Sequence, residues 1–432
     1  MQNSPTTSNS TRRVFMASLV GTTIEYYDFY LYGTAAALVF GALFFPQESS
    51  AAQQLNAFAT FAIAFIARPL GSAIFGHFGD RIGRKSTLVA SLLIMGISTT
   101  LIAFLPGYAV IGVWAPILLC LLRFGQGIGL GGEWGGAALI ATENAPKDKR
   151  ARYGMFPQLG APLGFILANG LFLVMAHFQS ESFFKEFGWR VPFLLSAILL
   201  VFGLYVRLAL VETPVFAHAM QQNKLTTVPL LSLFRNHFAN LLLGSLSMMV
   251  CYALFYISTV FVLGYATKTL AIPREQILAI ECGAIIFMAI GIVISAQLAD
   301  RVGRKPVLIS GSLLAIGSGF LLAPALSSAD LTTISLFLSL ELFLMGITFG
   351  PMGALLPELF PTSIRYSGAA LAYNLGGIIG ASFAPYLAQV LVEQGGLVWV
   401  GGYISAAATM SLMAVLLMKE TRVQSALNGE DE

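Results

Sequence analysis

The sequence predicts an all-α polytopic membrane protein: twelve transmembrane helices in two pseudo-symmetric six-helix halves. Three observations predict it. The 432 residues are 56% hydrophobic and only 10% charged, against about 25% charged in an ordinary soluble domain. Mean hydropathy is +0.78, more apolar surface than a soluble core absorbs, so the solvent for most of the chain is lipid. The apolar runs are about 20 residues long between short polar breaks, without the period-2 alternation of a barrel. Finally, one phrase is written twice. GHFGDRIGRKSTL spans 76–88 and AQLADRVGRKPVL spans 296–308, an offset of 220 residues.

Taken in order, the spans fall near 14–42, 53–78, 87–106, 112–142, 152–177, 189–211, 237–266, 275–299, 306–327, 331–356, 366–392 and 397–418. The first is far too long for a signal-peptide core, so it is expected to stay. A second repeated pair supports the division into halves: ENAP with Arg152-Tyr153, and ELFP with Arg365-Tyr366. The organisation read from this is a cytoplasmic tail (1–13), a first six-helix half (14–211), a cytoplasmic linker (212–236), a second half (237–418) and a cytoplasmic tail (419–432). The tail from 420 is acidic and polar and is expected to be unstructured. Parallel halves of this kind mark secondary transporters, with substrate held at the midplane between them.

Lysine and arginine set the orientation. With the N-terminus inside, the inner segments carry Arg12, Arg13, Arg81, Arg84, Lys85, Lys147, Lys149, Arg150, Arg152 and their second-half counterparts. The outer segments carry only Lys185, Arg190, Lys268 and Arg274. Both termini are therefore cytoplasmic. The net charge of +3 has the same origin and implies no nucleic-acid partner. Cys120, Cys251 and Cys282 fall in spans and read as buried thiols. The four histidines show no ligand spacing, so no metal site is expected. No phosphate loop, nucleophile elbow or ATP-binding domain is present in the sequence; no cofactor and no enzymatic activity are expected.

The buried charges are the informative residues. IEYYDFYLYG (24–33) places Glu25 and Asp28 inside the first span, where a charge costs roughly 2.5–3.5 kcal/mol. Counting ~1.5 Å per residue from the inner ends, Glu25, Arg68 and Glu133 form a midplane layer, with Asp28 and Arg123 nearer the outside. Glu25 and Asp28 share a helix face and cannot both ionise cheaply, so one is expected to hold a proton. The second half carries only Glu281 and Glu341 within its spans; by the same count both lie near outer ends, where interfacial water is expected to reach them.

The doubled Asp-Arg-x-Gly-Arg-Lys turn resembles the signature loop of the major facilitator superfamily. IEYYDFYLYG, IARPLGSAIFGHFGDRIGRK, LRFGQGIGLGGEWGGA, GWRVPF, ETPVF and PELFPTSIRYSG are similar to the metabolite:H+ symporters, a bacterial branch with carriers for shikimate, 2-oxoglutarate, citrate, and proline or betaine. The likeness runs along almost the whole chain. It implies a multi-pass protein of the bacterial inner membrane. It also implies a cytoplasmic gate built from Asp80, Arg81, Gly83, Arg84, Glu143 and Arg152 in one half, and Asp300, Arg301, Gly303, Arg304, Glu358 and Arg365 in the other. Gly83 and Gly303 suit the tight turn. Sugar-porter relatives in the superfamily couple protons through an acid on the first helix beside an arginine on the fourth; transferred here, that pair is Asp28 and Arg123.

The proton-coupling set is thus Glu25, Asp28, Arg68, Arg123 and Glu133. Candidates for substrate contact, polar and near mid-depth, are Tyr27, Tyr30, Gln126, Trp134, Gln158, Tyr252, Tyr256, Tyr373 and Asn374, with Asn169 beside them. Each buried hydroxyl or amide needs a partner, and a polar ligand can be that partner. The glycines of GQGIGLGG (125–132) and LGGIIGAS (375–382) suit close helix packing rather than nucleotide binding. The expected function is proton-driven import of a small organic acid or zwitterion by a functional monomer, with the bilayer, protons and substrate as its partners. An exporter or antiporter, or an uncoupled facilitator, are the alternatives on the same fold. A sensor would need a signalling domain, and a membrane enzyme a catalytic constellation.

Overall fold

The computed structural model describes residues 11–46, 48–82, 84–143, 145–208, 229–361 and 364–422, and side chains within them except at 11–17, 76–88, 147, 207 and 229–232. Among these residues there is no strand. The first half comprises α1 (Thr11–Ala35, continued to Phe44), α2 (Ser50–Ile82), α3 (Arg84–Ile102), α4 (Trp114–Glu143), α5 (Arg150–Phe178) and α6 (Arg190–Leu208). The second comprises α7 (Phe238–Lys268), α8 (Arg274–Val302), α9 (Arg304–Ser327), α10 (Leu331–Glu358), α11 (Arg365–Gly395) and α12 (Leu397–Leu417). Ten are long and apolar enough to cross a membrane outright. The eleventh is α6 with its bent lead-in, and α3 carries the shorter apolar stretch Val89–Ile102. The outward faces are apolar too, for example Phe104, Ile198, Tyr205, Phe320 and Leu417, as lipid requires.

Small residues set the closest packing. On α4, a Cβ at Gly127 would meet the Ala64 carbonyl of α2, and one at Gly131 would meet the Arg68 carbonyl. In the second half the same partnership recurs between α8 and α10 through Gly291, Gly346 and Gly350. Helix ends follow ordinary capping chemistry. Asp330 accepts the Thr333 N–H at 2.8 Å to open α10, and that bond holds its carboxyl below the usual range. Gly303 (φ 106°) turns the chain between α8 and α9, and Gly396 (φ 75°) between α11 and α12.

The repeat extends to the irregularities. π-Helical turns occupy Ala36–Phe40 in α1 and Ile257–Phe261 in α7. α4 is interrupted at Gly132, and its pseudo-symmetric mate α10 at Gly350-Pro351. Broken helices inside a membrane persist only where protein or a cavity satisfies the freed backbone.

Two sequence expectations need adjustment. The stretch read as linker contains a helix, Pro229–Asn236, while 209–228 lie outside the described residues, as do 1–10. The tail read as unstructured from 420 is docked at its start: Glu420 accepts the backbone N–H groups of Arg304 and Lys305 at 3.0 and 2.9 Å. An acid fits there because the first N–H groups of a helix have no partner within it.

Candidate functional site

At the cytoplasmic ends, Gly83 and the side chains of Asp80, Arg81 and Arg84 lie outside the described residues. The second-half turn is fully described. Arg304, almost wholly buried, bonds Glu358 through two nitrogens at 2.9 and 3.2 Å, the Ala299 carbonyl at 3.0 Å and Asp300 at 3.4 Å. Thr421 donates to Glu358 at 2.6 Å, Arg422 bonds the Arg301 carbonyl, and Arg365 bonds the Phe360 carbonyl at 3.2 Å. Asp300 also reaches across to the first half. Its two oxygens accept the Ala151 and Arg152 N–H groups at 2.9 and 3.0 Å, at the N-terminus of α5, and the Arg152 guanidinium stands 3.9 Å away. Arg152 thus pairs across the halves, and Glu143 makes no ion pair among the described residues.

The outer side is also closed. His177 at the end of α5 meets Glu275 at the start of α8 at 2.7 Å. Arg274 covers the Phe184 ring at 4.4 Å, and Lys268 bonds Gln54. Contacts between the halves thus stand at both faces.

Between the two faces lies the charged layer. Glu25, Asp28, Arg68, Arg123 and Glu133 are all at most 4% exposed. Asp28 accepts a hydrogen bond from Ser196 of α6, with the Thr99 hydroxyl of α3 beside it. Arg123 donates to Gln126 at 3.0 Å, and Gln126 donates to Thr99 at 2.8 Å. Asp28 and Arg123 thus approach the same Thr99, the arginine by way of Gln126, while the Thr99 hydroxyl donates to the Met95 carbonyl, with no direct ion pair in this conformation. The Arg123 guanidinium lies over Tyr32, Phe29 and Phe61 at 4.0, 4.4 and 4.9 Å. Arg68 sits over Phe29 and Phe65 at 4.2 and 4.5 Å. Its Nε is fully enclosed and has no acceptor among the described residues.

An aromatic wall drawn from both halves faces this layer. Tyr30 stacks on Phe255 at 4.9 Å, and Tyr256 meets Phe61 and Phe65 at 5.3 and 5.5 Å. Tyr252 reaches the Tyr373 carbonyl at 3.3 Å. Trp134 and Tyr373 stack across the halves at 4.0 Å and 6°. Other candidates are occupied by protein partners. Tyr27 turns to the Pro192 carbonyl at 2.6 Å, and Asn169 accepts from Thr34 at 2.5 Å. Gln158 takes the Trp134 indole N–H at 3.0 Å and donates to the Phe349 carbonyl at 3.1 Å. Asn374 donates to Ser72 and to the Gly131 carbonyl at 2.6 and 3.0 Å.

Glu281 and Glu341 correct a further expectation. Both are 0% exposed, enclosed by protein rather than reached by interfacial water. Counting along a helix gives depth but not the face presented, and both residues turn into the bundle, Glu341 beside Ser318 of α9. Sequence reasoning missed Tyr26, which bonds Tyr373 at 2.9 Å, and also Phe29, Phe61, Phe65, Thr99 and Ser196. An arginine in a span asks for π faces as well as acids, and that signal pointed to the phenylalanines. The two hydroxyl residues carried none.

Two six-helix halves closed over a buried charged layer define a multi-pass membrane transport protein. The chain belongs to the major facilitator superfamily. Residues 13–227 match the family described as sugar (and other) transporter, and 257–432 match the major facilitator superfamily itself. It is 52% identical to the inner membrane metabolite transport protein YhjE of Escherichia coli K12, over 96% of each chain. It is 39% identical to the shikimate transporter of the same organism, over 95% of each. It is 34% identical to the proline/betaine transporter of Salmonella typhimurium, over 95% of this chain and 84% of that one. Among solved structures, the partially occluded inward-open xylose transporter XylE from E. coli superposes with TM-score 0.76 at 19% identity, over 96% and 99% of the two chains, a likeness of fold. The protein is a transporter of the inner membrane and not an enzyme.

Proposed function

We propose that the protein is a proton-coupled symporter importing a small organic acid or zwitterion by alternating access, working as a monomer. Arg68 is the ligand for the substrate's anionic group, and Asp28 is the acid that carries the proton. The observation that carries this reading is Arg68: a mid-depth guanidinium between rings of α1 and α2, near tyrosines of both halves, whose Nε has no acceptor among the described residues. A carboxylate entering between Phe29, Phe65 and the Tyr30, Tyr252 and Tyr256 rings would take up those donors in a forked pair. The ring faces suit a small, compact body.

Asp28 has a neutral hydroxyl as its partner. An uncompensated charge there would cost roughly 2.5–3.5 kcal/mol, so this conformation suits the proton-loaded stage. When the proton leaves, the carboxylate draws Arg123 off Gln126, the layer rearranges, and the inner side opens. Glu25 and Glu133 tune the charge of the layer. Relatives described as shikimate and proline/betaine transporters, and a fold neighbour described as a proton:xylose symporter, support a small polar solute and proton coupling.

The test is uptake of labelled shikimate, 2-oxoglutarate, citrate, proline and betaine into proteoliposomes, with and without an inward proton gradient. Accumulation that requires the gradient is expected for one of them. Equal uptake in both conditions would replace symport by facilitation. Export from preloaded vesicles on an opposed gradient, without import, would replace it by antiport.

A further inference from the structure

The interruptions of α4 and α10 are each engaged by an amide of the opposite half and a serine of the same half, in a repeated pattern. At the α4 break, the Gly131 carbonyl accepts the Asn374 amide of α11 at 3.0 Å and the Ser72 hydroxyl of α2. At the α10 break, the Phe349 carbonyl accepts the Gln158 amide of α5 at 3.1 Å, and the neighbouring Gly346 carbonyl accepts the Ser295 hydroxyl of α8 at 3.1 Å. Asn374 and Gln158 are 216 residues apart, and Ser295 and Ser72 are 223 apart, both close to the repeat offset. The helices touch where each bond is made. A Cβ at Gly135 would stand 2.8 Å from the Ala370 Cβ, and one at Gly154 would stand 3.0 Å from the Gly353 carbonyl carbon. A carbonyl beside a break in a membrane helix needs a donor; at Phe349 it comes from across the halves, and at Gly131 an amide from across the halves joins the serine of the same half.

We infer that Gln158 and Asn374 are twin catches: each holds its helix to the broken helix of the other half, and both must release before the inner side opens. Ser72 is one turn inward of Arg68 on α2, about 6 Å, so the Asn374 catch lies directly beneath the guanidinium proposed to take the substrate. The Gly131 position also rests on the Arg68 backbone carbonyl. A shift of Arg68 on loading or releasing a ligand therefore reaches the catch through one helical turn. This assigns Gln158 and Asn374 to gating rather than to substrate contact. It rests on the alternating-access part of the function proposed above, and not on the identity of substrate or coupling ion.

The test needs no substrate. Spin labels at Asp148 and Val302 report the inner separation of the halves, and labels at Ser182 and Thr269 the outer one, with Cys120, Cys251 and Cys282 replaced by alanine. Asn374→Leu and Gln158→Met keep the volume and delete the donor. Gln158→Met loses one bond across the halves and is expected to raise the ratio of long to short inner distances about fivefold; Asn374→Leu loses two, to Gly131 and Ser72, and should raise it up to about twenty-five-fold, with the double variant near the product. The outer distances should not broaden. Inner distributions identical to the parent in both single variants would overturn the catches. So would inner and outer distributions that loosen together. Should either variant fail to fold, Tyr366→Phe removes only the hydroxyl that bonds the Gly132 carbonyl and should act in the same direction. One fixed distance at each face, in parent and variants alike between pH 5 and 8, would refute alternating access itself along with the catches.

Discussion

Asp300→Asn is the perturbation with the clearest magnitude. The carboxylate is 6% exposed and accepts two backbone N–H groups of α5 at 2.9 and 3.0 Å from across the halves. A hydrogen bond to a charged group contributes about 1.5–3 kcal/mol, and a neutral one about 1. Asparagine keeps one acceptor oxygen and loses the charge at a helix N-terminus. It also leaves buried Arg304 to Glu358 and the Ala299 carbonyl. One charged bond is lost and the other becomes neutral, a net loss of about 3 kcal/mol. All of it falls on the state in which the inner ends touch, so the closed-to-open ratio should drop about a hundredfold. Single-molecule fluorescence transfer between dyes on the inner ends would read this as a new low-transfer population. A ratio within a factor of two of the parent would refute the reasoning and reduce Asp300 to a topological charge.

Three further outcomes are expected. Asp28→Asn should abolish gradient-driven accumulation in proteoliposomes while sparing substrate exchange across the same membrane; concentrative uptake surviving in that variant would remove Asp28 from the proton path. Arg68→Lys keeps the charge but not the fork or the flat contact with Phe29 and Phe65, and should raise the KM for an anionic substrate by about ten- to a hundredfold with little change in thermal stability. His177→Ala removes a contact with Glu275 whose members are 59% and 47% exposed, so detergent melting should show a change below about 1 kcal/mol.

The architecture was legible because lipid leaves the backbone few options: apolar runs of sufficient length must be helices, and charge asymmetry orients them. The doubled turn gave the halves. Depth arithmetic placed Glu25, Arg68 and Glu133 at the midplane and Asp28 and Arg123 nearer the outside, and all five are buried in the structure. What depth cannot give is rotation about the helix axis. Tyr27 and Tyr26 are neighbours, yet the first turns to α6 and the second to Tyr373 of the other half. Glu281 and Glu341 were displaced for the same reason. Partner choice was hidden as well: no spacing rule says that Arg123 lies on Gln126 while Asp28 lies on Ser196, because both choices depend on how α3, α4 and α6 pack.

The docking of Glu420 has a consequence for how the protein is made. The carboxylate that completes the N-terminus of α9 is encoded 116 residues after Arg304, the residue it caps. At a synthesis rate of about 5–20 residues per second, that separation is roughly ten seconds. During that interval α8 and α9 sit in the bilayer with the Asp300–Lys305 turn uncapped, and Glu358, the other anchor of Arg304, arrives about halfway through. A nascent carrier thus carries an unfinished inner seal until its last helix has inserted.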